Sequence, residues 1–483
     1  MAKPAPSTNG SLGNKSGWEA TGYDYRDNTI EGFPCLHEFQ IGGISLMPTV
    51  GELLTVPGLP SDTIKTGYRS RFSHENEVVK PGYYSVLLED YQIQAELTAT
   101  ERVAFQRFTF PQGQGKHILF NIGNRQGESG AVKDAYVVYN QDGTVEGWVI
   151  TEPEYVKKYQ PGAVVPLYFF AVLDKEPLNY GAYNGNVQQP GVRESKGVGA
   201  GMYFSFASEN QEVVTAKIGL SYTSVENARL NLQQEASDLD FDRAKERAQA
   251  TWEDYLGRIR VETECREDKV KFYTGLYHAL LGRGLASDVN GAYPRNDGSV
   301  GQLPMKEGTP LYNIYNTDAA WGAQWNLSQL WILAYPEYMS EYISSHLQAY
   351  KDAGWLADGL ANNRYVSGVG TNLLSTIIAS AYECGIRDFD TKIAYEACLK
   401  NELEGKNRPF GAGKVNTTEF VKYGYVPHQD AGEGYHETFM FSASHTLEYS
   451  YSAWAVAQWA KQLGDEAHYS QLMDFVKRMG TPL

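Results

Sequence analysis

The chain has 483 residues, enough for roughly two to four domains. With 42% hydrophobic residues it can bury sizeable cores and lies well outside the disordered range. It carries 42 Lys+Arg against 58 Asp+Glu, a net charge of −16, which argues against nucleic acid as the partner because phosphates need a basic face. No run approaches the roughly eighteen apolar residues of a membrane-spanning helix.

The first residues, Met1-Ala2-Lys3-Pro4-Ala5-Pro6, have no apolar core and do not read as a signal peptide. Residues 1–20 are expected to be disordered. The next segment, Gly32-Phe33-Pro34-Cys35-Leu36-His37 through Gly42-Gly43, pairs glycines with a histidine. Two readings fit it: a tight loop that lets backbone approach a ligand, or a solvent-exposed loop histidine in a β domain.

From there to about residue 235 the period is two. Ile93, Ala95 and Leu97 fall on one face, Gln92, Gln94 and Glu96 on the other. Short apolar runs continue at His117–Ile122, Ala135–Tyr139, Gly147–Ile150, Pro166–Leu173, Met202–Phe206 and Val213–Tyr222, parted by turn residues such as Asn140-Gln141-Asp142-Gly143. This predicts an antiparallel β-sandwich over 21–235. The 34 Tyr, 19 Phe and 9 Trp suit that fold, and they equally suit saccharide contacts, where an apolar ring face and a polar edge are both used.

Near residue 236 the period changes to three and four: Phe241, Ala244, Ala248, Trp252, Leu256 and Ile259 share one helix face. Asp238 or Asp240 is the predicted N-cap, and 236–262 the linker helix between domains. Helical text follows at about 267–286, 318–334, 337–353, 371–385, 389–402, 442–463 and 465–479. Pro336 stands at a helix start, and Gly354, Gly385 and Gly464 at ends. Consecutive hairpins of this kind predict part of an (α/α)6 toroid over 263–483, in an α+β multidomain chain. Four scattered cysteines (Cys35, Cys265, Cys384, Cys398) have no metal-ligand spacing and are expected to be buried thiols.

Four places in this half could carry chemistry. Asp318 follows an aromatic loop, with Trp321 and Trp325 just beyond. It either grips sugar hydroxyls beside the indoles or caps a helix. The Gly/Asn-rich connector Asp358–Asn372, with Asn363 and Arg364, is either a binding loop or ordinary turns. Asp430, Glu433, His436 and Glu437 form an acid/base pair, a Ca²⁺ site or a solvated loop. Glu448 reads as a polar-face helix residue. There is no Walker loop, GxSxG or HExxH, and Gly197–Gly201 lacks the third glycine of a dinucleotide loop.

The blocks Thr29-Ile30-Glu31-Gly32-Phe33 through Met47-Pro48, Pro81-Gly82-Tyr83-Tyr84, Glu96–Thr100, Gln106–Pro111, Tyr277-His278, Ser287–Gly291, Gly354-Trp355-Leu356, Gly385–Asp390 and Thr446-Leu447-Glu448-Tyr449 occur in order and spacing. Together they resemble glycoside hydrolase family 92, the calcium-dependent exo-α-mannosidases, over about residues 20–480. The resemblance implies a β-sandwich followed by an (α/α)6 barrel. It implies inverting hydrolysis of non-reducing mannose on glycans, Ca²⁺ as cofactor, and a periplasmic or secreted location. It carries His37, Asp318, Trp321, Asn363 and Arg364 as substrate-binding residues.

The sequence departs from the family where His37 alone remains of a histidine-rich stretch, where Thr317 replaces a tryptophan before Asp318, and where Ala361-Asn362-Asn363-Arg364 replaces Gly-Asn-Glu-Thr. The blocks expected to hold the acid and base do not occur. Both ends therefore read as cut, the catalytic carboxylates are expected beyond residue 483, and this chain alone is expected to be inactive. Rival readings are a non-catalytic glycan-binding protein and another α/α-toroid enzyme using the acids of 430–437.

Overall fold

A computed structural model describes residues 1–12, 22–38, 40–61, 66–113, 115–207, 209–282, 284–368, 370–428 and 441–478. The chain forms two units. Unit 1 is Met1–Lys157, Gly162–Tyr293 and Gln302–Pro310; unit 2 is Lys158–Pro161, Pro294–Gly301 and Leu311–Leu483.

Unit 1 is built on the period of two. In Ile93–Ala99 the residues Ile93, Ala95 and Leu97 are buried, while Gln94 and Glu96 are half-buried. Among the described residues, nine strands form one antiparallel sheet, in the order Glu194–Lys196, Ala131–Tyr139, Thr144–Glu152, Val165–Leu173, Glu212–Ser221, Val103–Phe110, Ile93–Ala99, Tyr83–Leu88 and Val78–Lys80. Six form a second: Val187–Pro190, Asn179–Asn184, Ala200–Phe206, Lys116–Asn121, Ile41–Val50 and Phe33–Glu38. Rings meet between the sheets, with centroids 6.0 Å apart for Phe33–Phe108 and 6.4 Å for Phe120–Phe169. The result is the expected sandwich.

The expected linker helix is two helices, Val225–Ala236 and Phe241–Gly257, and both belong to unit 1. Their apolar face is why: Ala228, Leu232, Ala236, Phe241 and Ala244 share a core with Val103, Phe105 and Phe170 of the nine-stranded sheet. Asp240 caps the second helix, its carboxylate accepting from the Arg243 amide at 2.8 Å.

Residues 1–12 are ordered, contrary to the expectation; 13–20 lie outside the described residues. The Ser7 amide donates to the Gly32 carbonyl, and the Glu31 amide to the Ser7 carbonyl. The Glu31 carboxylate also accepts from the Ser7 hydroxyl, the Ser11 amide and the buried Arg69 guanidinium. A buried carboxylate with that many donors holds the segment in place. Of the cysteines, Cys35 and Cys398 are buried but Cys265 and Cys384 are exposed.

Unit 2 is helical: Ala320–Gln324, Leu327–Ala334, Pro336–Ala353, Leu374–Glu383, Thr391–Leu403, Thr417–Tyr423, Ser442–Gln462 and Glu466–Arg478. The helix expected over 318–334 is broken, because Asn326 leaves the helical region at φ −157°. Pro336 opens its helix and Gly354 closes it in the left-handed region at φ 80°. Trp459 is fully buried, stacked on Tyr382 at 4.5 Å and edge-on to Tyr395 at 5.3 Å.

Inside unit 2 an ion pair is sealed from water. Lys414 and Glu402 side chains are 1% and 2% exposed. Glu402 also accepts from the hydroxyls of Ser375 and Ser452, which stand on two other helices. Removing one charge leaves the other buried and unpaired, a loss of about 3–5 kcal/mol. Lys414→Met is therefore expected to lower unfolding stability by that order. Lys414→Met with Glu402→Leu should recover most of it, because two apolar side chains leave no orphan charge. Urea titration of the three chains checks this.

Candidate functional site

The site in unit 2 starts from Asp358, which is 1% exposed. Its Oδ1 accepts from the Ala320 amide at 3.1 Å, and its Oδ2 from the Ser367 hydroxyl at 3.0 Å and the Gly368 amide at 2.9 Å. Burial raises the pKa of this carboxyl above the ordinary value; the hydrogen bonds pull it down, and Glu448 adds to the rise. Asp358 thus holds the first amide of helix Ala320–Gln324. The cap position is Ala319, whose methyl group makes no capping hydrogen bond. The capping role weighed for Asp318 belongs to Asp358.

Asp318 is exposed and lies two residues before that helix. It and Asp358 both act on Tyr342, whose phenol is held well above its usual pKa by burial first, then by Tyr338 and these two carboxylates. Trp321 and Trp325 are 39% and 51% exposed. The Trp321 indole N–H donates to Glu448 Oε1 at 3.0 Å. The other oxygen of Glu448 is buried without a hydrogen-bond partner. Trp325 stands edge-on to Trp321 at 6.2 Å and stacks on Tyr451 at 6.3 Å; the Tyr451 hydroxyl accepts from Gln324 at 3.1 Å. Open indole faces beside carboxylate acceptors are the chemistry of saccharide binding. Neither Asp358 nor Glu448 was singled out from sequence for this role.

The expected binding loop 358–372 opens with a β-hairpin, Gly359–Ala361 paired with Arg364–Val366. Its two-residue turn is Asn362-Asn363, at φ 51° and 56°, where asparagine is favoured. The base of the hairpin rests against the Asp318–Ala319 backbone: a Cβ on Gly359 would lie 3.2 Å from it. Asn363 is 0% and Arg364 8% exposed, so neither is the open loop residue expected. The Asn363 carbonyl accepts from Asn296 at 3.0 Å, and Arg364 donates to the Asn296 carbonyl. The side-chain amide of Asn363 has no hydrogen-bond partner.

His37 belongs to unit 1. It is not exposed: it sits one residue before the end of the strand Phe33–Glu38, paired with Gly42, and is 4% exposed. Neither ring nitrogen has a hydrogen-bond partner. Gly22 and Gly127 close on the ring so tightly that a Cβ on either would lie 2.2 Å from it. Burial lowers the His37 pKa from 6.5 to about 4.

Among the described residues no three His, Cys, Asp or Glu side chains converge on a point that would hold a metal ion. Asp430, Glu433, His436 and Glu437 lie outside the described residues.

A family model described as the glycosyl hydrolase family 92 N-terminal domain matches residues 1–221, and one for the family 92 catalytic domain matches 227–478. An uncharacterized secreted glycosidase of Arthroderma benhamiae is 25% identical over 482 residues, covering 92% of this chain and 55% of that protein. The GH92 α-mannosidase of Bacteroides thetaiotaomicron in complex with mannoimidazole superposes with TM-score 0.85 at 24% identity, covering 98% of this chain and 59% of that one. A GH92 inverting mannosidase of the same organism gives TM-score 0.83 at 23% identity, with 98% and 60% covered. At those identities the structural likeness shows the fold. The chain spans little more than half the length of these relatives. The expectation of a cut chain is corrected in part: the N-terminal match begins at residue 1, and the catalytic-domain match runs to 478.

The neutral state of His37 predicts a pH dependence. Unfolded, the imidazole takes up a proton as pH falls through 6.5; folded, it stays neutral until about 4. Stability is therefore lost as pH falls between those values, on the order of 3 kcal/mol from this group. In His37→Phe the fall in melting temperature from pH 7 to pH 4 should be shallower than in the parent. Equal slopes would show that His37 titrates alike in both states.

Proposed function

The chain belongs to glycosyl hydrolase family 92, and from that premise we propose that it recognises mannose at the non-reducing end of α-mannosidic glycans, with the terminal sugar held at Asp318 and Trp321. The observation that carries this reading is the Trp321 indole: its N–H is spent on Glu448 while its ring stays open. The hydrogen bond fixes the plane of the ring. An open indole so fixed takes the apolar C–H face of a pyranose. Asp318 accepts from two neighbouring hydroxyls. Asn363, Arg364 and His37 are carried as further substrate residues by the family pattern.

Hydrolysis with inversion is part of the proposal. It uses a carboxylic acid on the leaving oxygen and a carboxylate that activates water on the opposite face of the sugar. Neither role is assigned to a described residue. Ca²⁺ would supply charge at the sugar hydroxyls, but no described residue is assigned to it. For residues 1–483 alone we propose binding without turnover, because the two family carboxylate blocks are not found in the sequence. The relative described as secreted supports an extracytoplasmic location. No helix among the described residues is long and apolar enough to cross a membrane.

Titration with methyl α-mannoside tests the site. Asp318→Asn should leave the melting temperature unchanged, since Asp358 holds the helix start, and weaken binding about tenfold through loss of a charge-assisted acceptor. A lowered melting temperature with unchanged affinity would overturn the assignment. Mannose release abolished by Glu437→Gln or Asp430→Asn would instead show turnover by this chain and place its acids in 430–437.

A further inference from the structure

In unit 1, residues 22–28 form a strap that starts against His37, where a Cβ on Gly22 would lie 2.2 Å from the ring. The strap is stitched to residues 8 and 9. The Gly22 carbonyl accepts from the Thr8 amide at 2.7 Å and the Asn9 amide at 3.1 Å. The Asp24 amide donates to the Thr8 hydroxyl at 3.0 Å, and the Asn9 side chain to Asp27 at 3.2 Å. Its far end is fixed by the Phe72 amide, which donates to the Asn28 carbonyl at 3.0 Å. The turn between them, closed by the Asp27 amide on the Asp24 carbonyl, has Tyr25 at its tip, and Tyr25 is held by His74.

His74 stands on the short helical turn His74–Asn76 and meets an acceptor at each ring nitrogen. Nδ1 lies 2.5 Å from Glu77 Oε2, and Nε2 lies 2.7 Å from the Tyr25 carbonyl oxygen. A carboxylate and a carbonyl only accept, so both nitrogens donate, and an imidazole donates from both only as the cation. The Tyr25 ring stacks on it at 4.0 Å and 9°, and the Phe72 ring meets it edge-on at 5.2 Å.

Glu77 requires the same charge. Its side chain is 6% exposed, and His74 is its only ion-pair partner among the described residues. The Tyr84 hydroxyl donates to Glu77 at 2.5 Å and the Tyr23 hydroxyl at 3.1 Å, and both donors are neutral. Burial first, and Glu77 next, hold these two phenols well above their ordinary range, so they stay protonated where His74 titrates. Asp24 is held at about 2 by its hydrogen bond to Arg26 and stays ionised. The hydrogen bond to Glu77 raises the His74 pKa above 6.5.

We propose that His74 is a pH-operated lock on the strap: as the cation it ties the Tyr25 carbonyl to Glu77, and as the neutral ring it lets go. A neutral imidazole keeps one proton, and the charged acceptor Glu77 retains it at Nδ1. Nε2 then turns a lone pair toward the Tyr25 carbonyl oxygen, and attraction becomes repulsion. The folded pKa lies above the unfolded 6.5, so the contact is complete below that pH and is lost as pH rises through the folded value. The strap that walls His37 is thereby ordered in acid and loosened in alkali. This lock is independent of the sugar site in unit 2.

Hydrogen exchange of the full chain, read by mass spectrometry on peptides spanning 22–28, tests it. After correction for the intrinsic exchange rate at each pH, protection of the strap should fall at least about threefold as pH rises from about 6 to about 9. His74→Phe keeps a ring against Tyr25 and has no proton to lose, so its strap should be loose at both ends of that range. In Glu77→Gln the fall in protection should move to lower pH. Equal protection at both ends of the range in the parent would overturn the proposal, as would a pH-dependent fall that persists in His74→Phe. Should His74→Phe fail to fold, nuclear magnetic resonance titration of ¹³C-histidine-labelled parent and Glu77→Gln chains decides. An imidazole that titrates above about 6.5 in the parent and moves down in Glu77→Gln supports the lock, and the absence of such an imidazole overturns it.

Discussion

The buried carboxylate of Asp358 is the joint on which the unit 2 site depends. Three donors from two places in the chain converge on it: the Ala320 amide, and the Ser367 hydroxyl with the adjacent Gly368 amide. Take away that acceptor and the helix start, the hairpin exit and the strand bridge between Thr317 and Leu360 lose their common anchor. Asp318 and Trp321 flank the helix start so held. A capping acid outside the helix leaves Asp318, the nearest acid in sequence, exposed to solvent. The division of labour is physical: the inner carboxylate is spent on two amides and a hydroxyl, and the outer one lies exposed beside the helix start.

Unit 1 uses the same device at Glu31. Its carboxylate gathers Ser7, Ser11 and Arg69 and fixes the first residues of the chain against the strand that leads to His37. The histidine then stands between Gly22 and Gly127, which no side chain could replace without moving the ring. Both units therefore place a candidate group near a buried carboxylate whose oxygens are already taken by donors of the protein.

Much of the fold was legible because burial imposes a period. The alternation in Ile93–Ala99, the step of three and four from Phe241, and the glycine at 354 each follow from local geometry and hold in the structure. The site was legible only where it is local. Trp321 beside Asp318 could be read from adjacent residues. Asp358 could not, because the amide it caps is 38 residues away in the chain. The Asn362-Asn363 turn was readable as turn chemistry, but its burial depends on Asn296, which no local pattern connects to it. The order of residues 1–12 likewise rests on Glu31 and Arg69, beyond the reach of a composition rule.

The central claim is that the open indole of Trp321, with Asp318 beside it, is where a mannose ring sits. A crystal structure of this chain soaked with methyl α-mannoside tests it most directly. The account predicts a pyranose ring stacked on Trp321 with two hydroxyls on the Asp318 carboxylate, and Asp358 unmoved on its three donors. A sugar bound elsewhere in unit 2, with Trp321 and Asp318 uncovered, would contradict it.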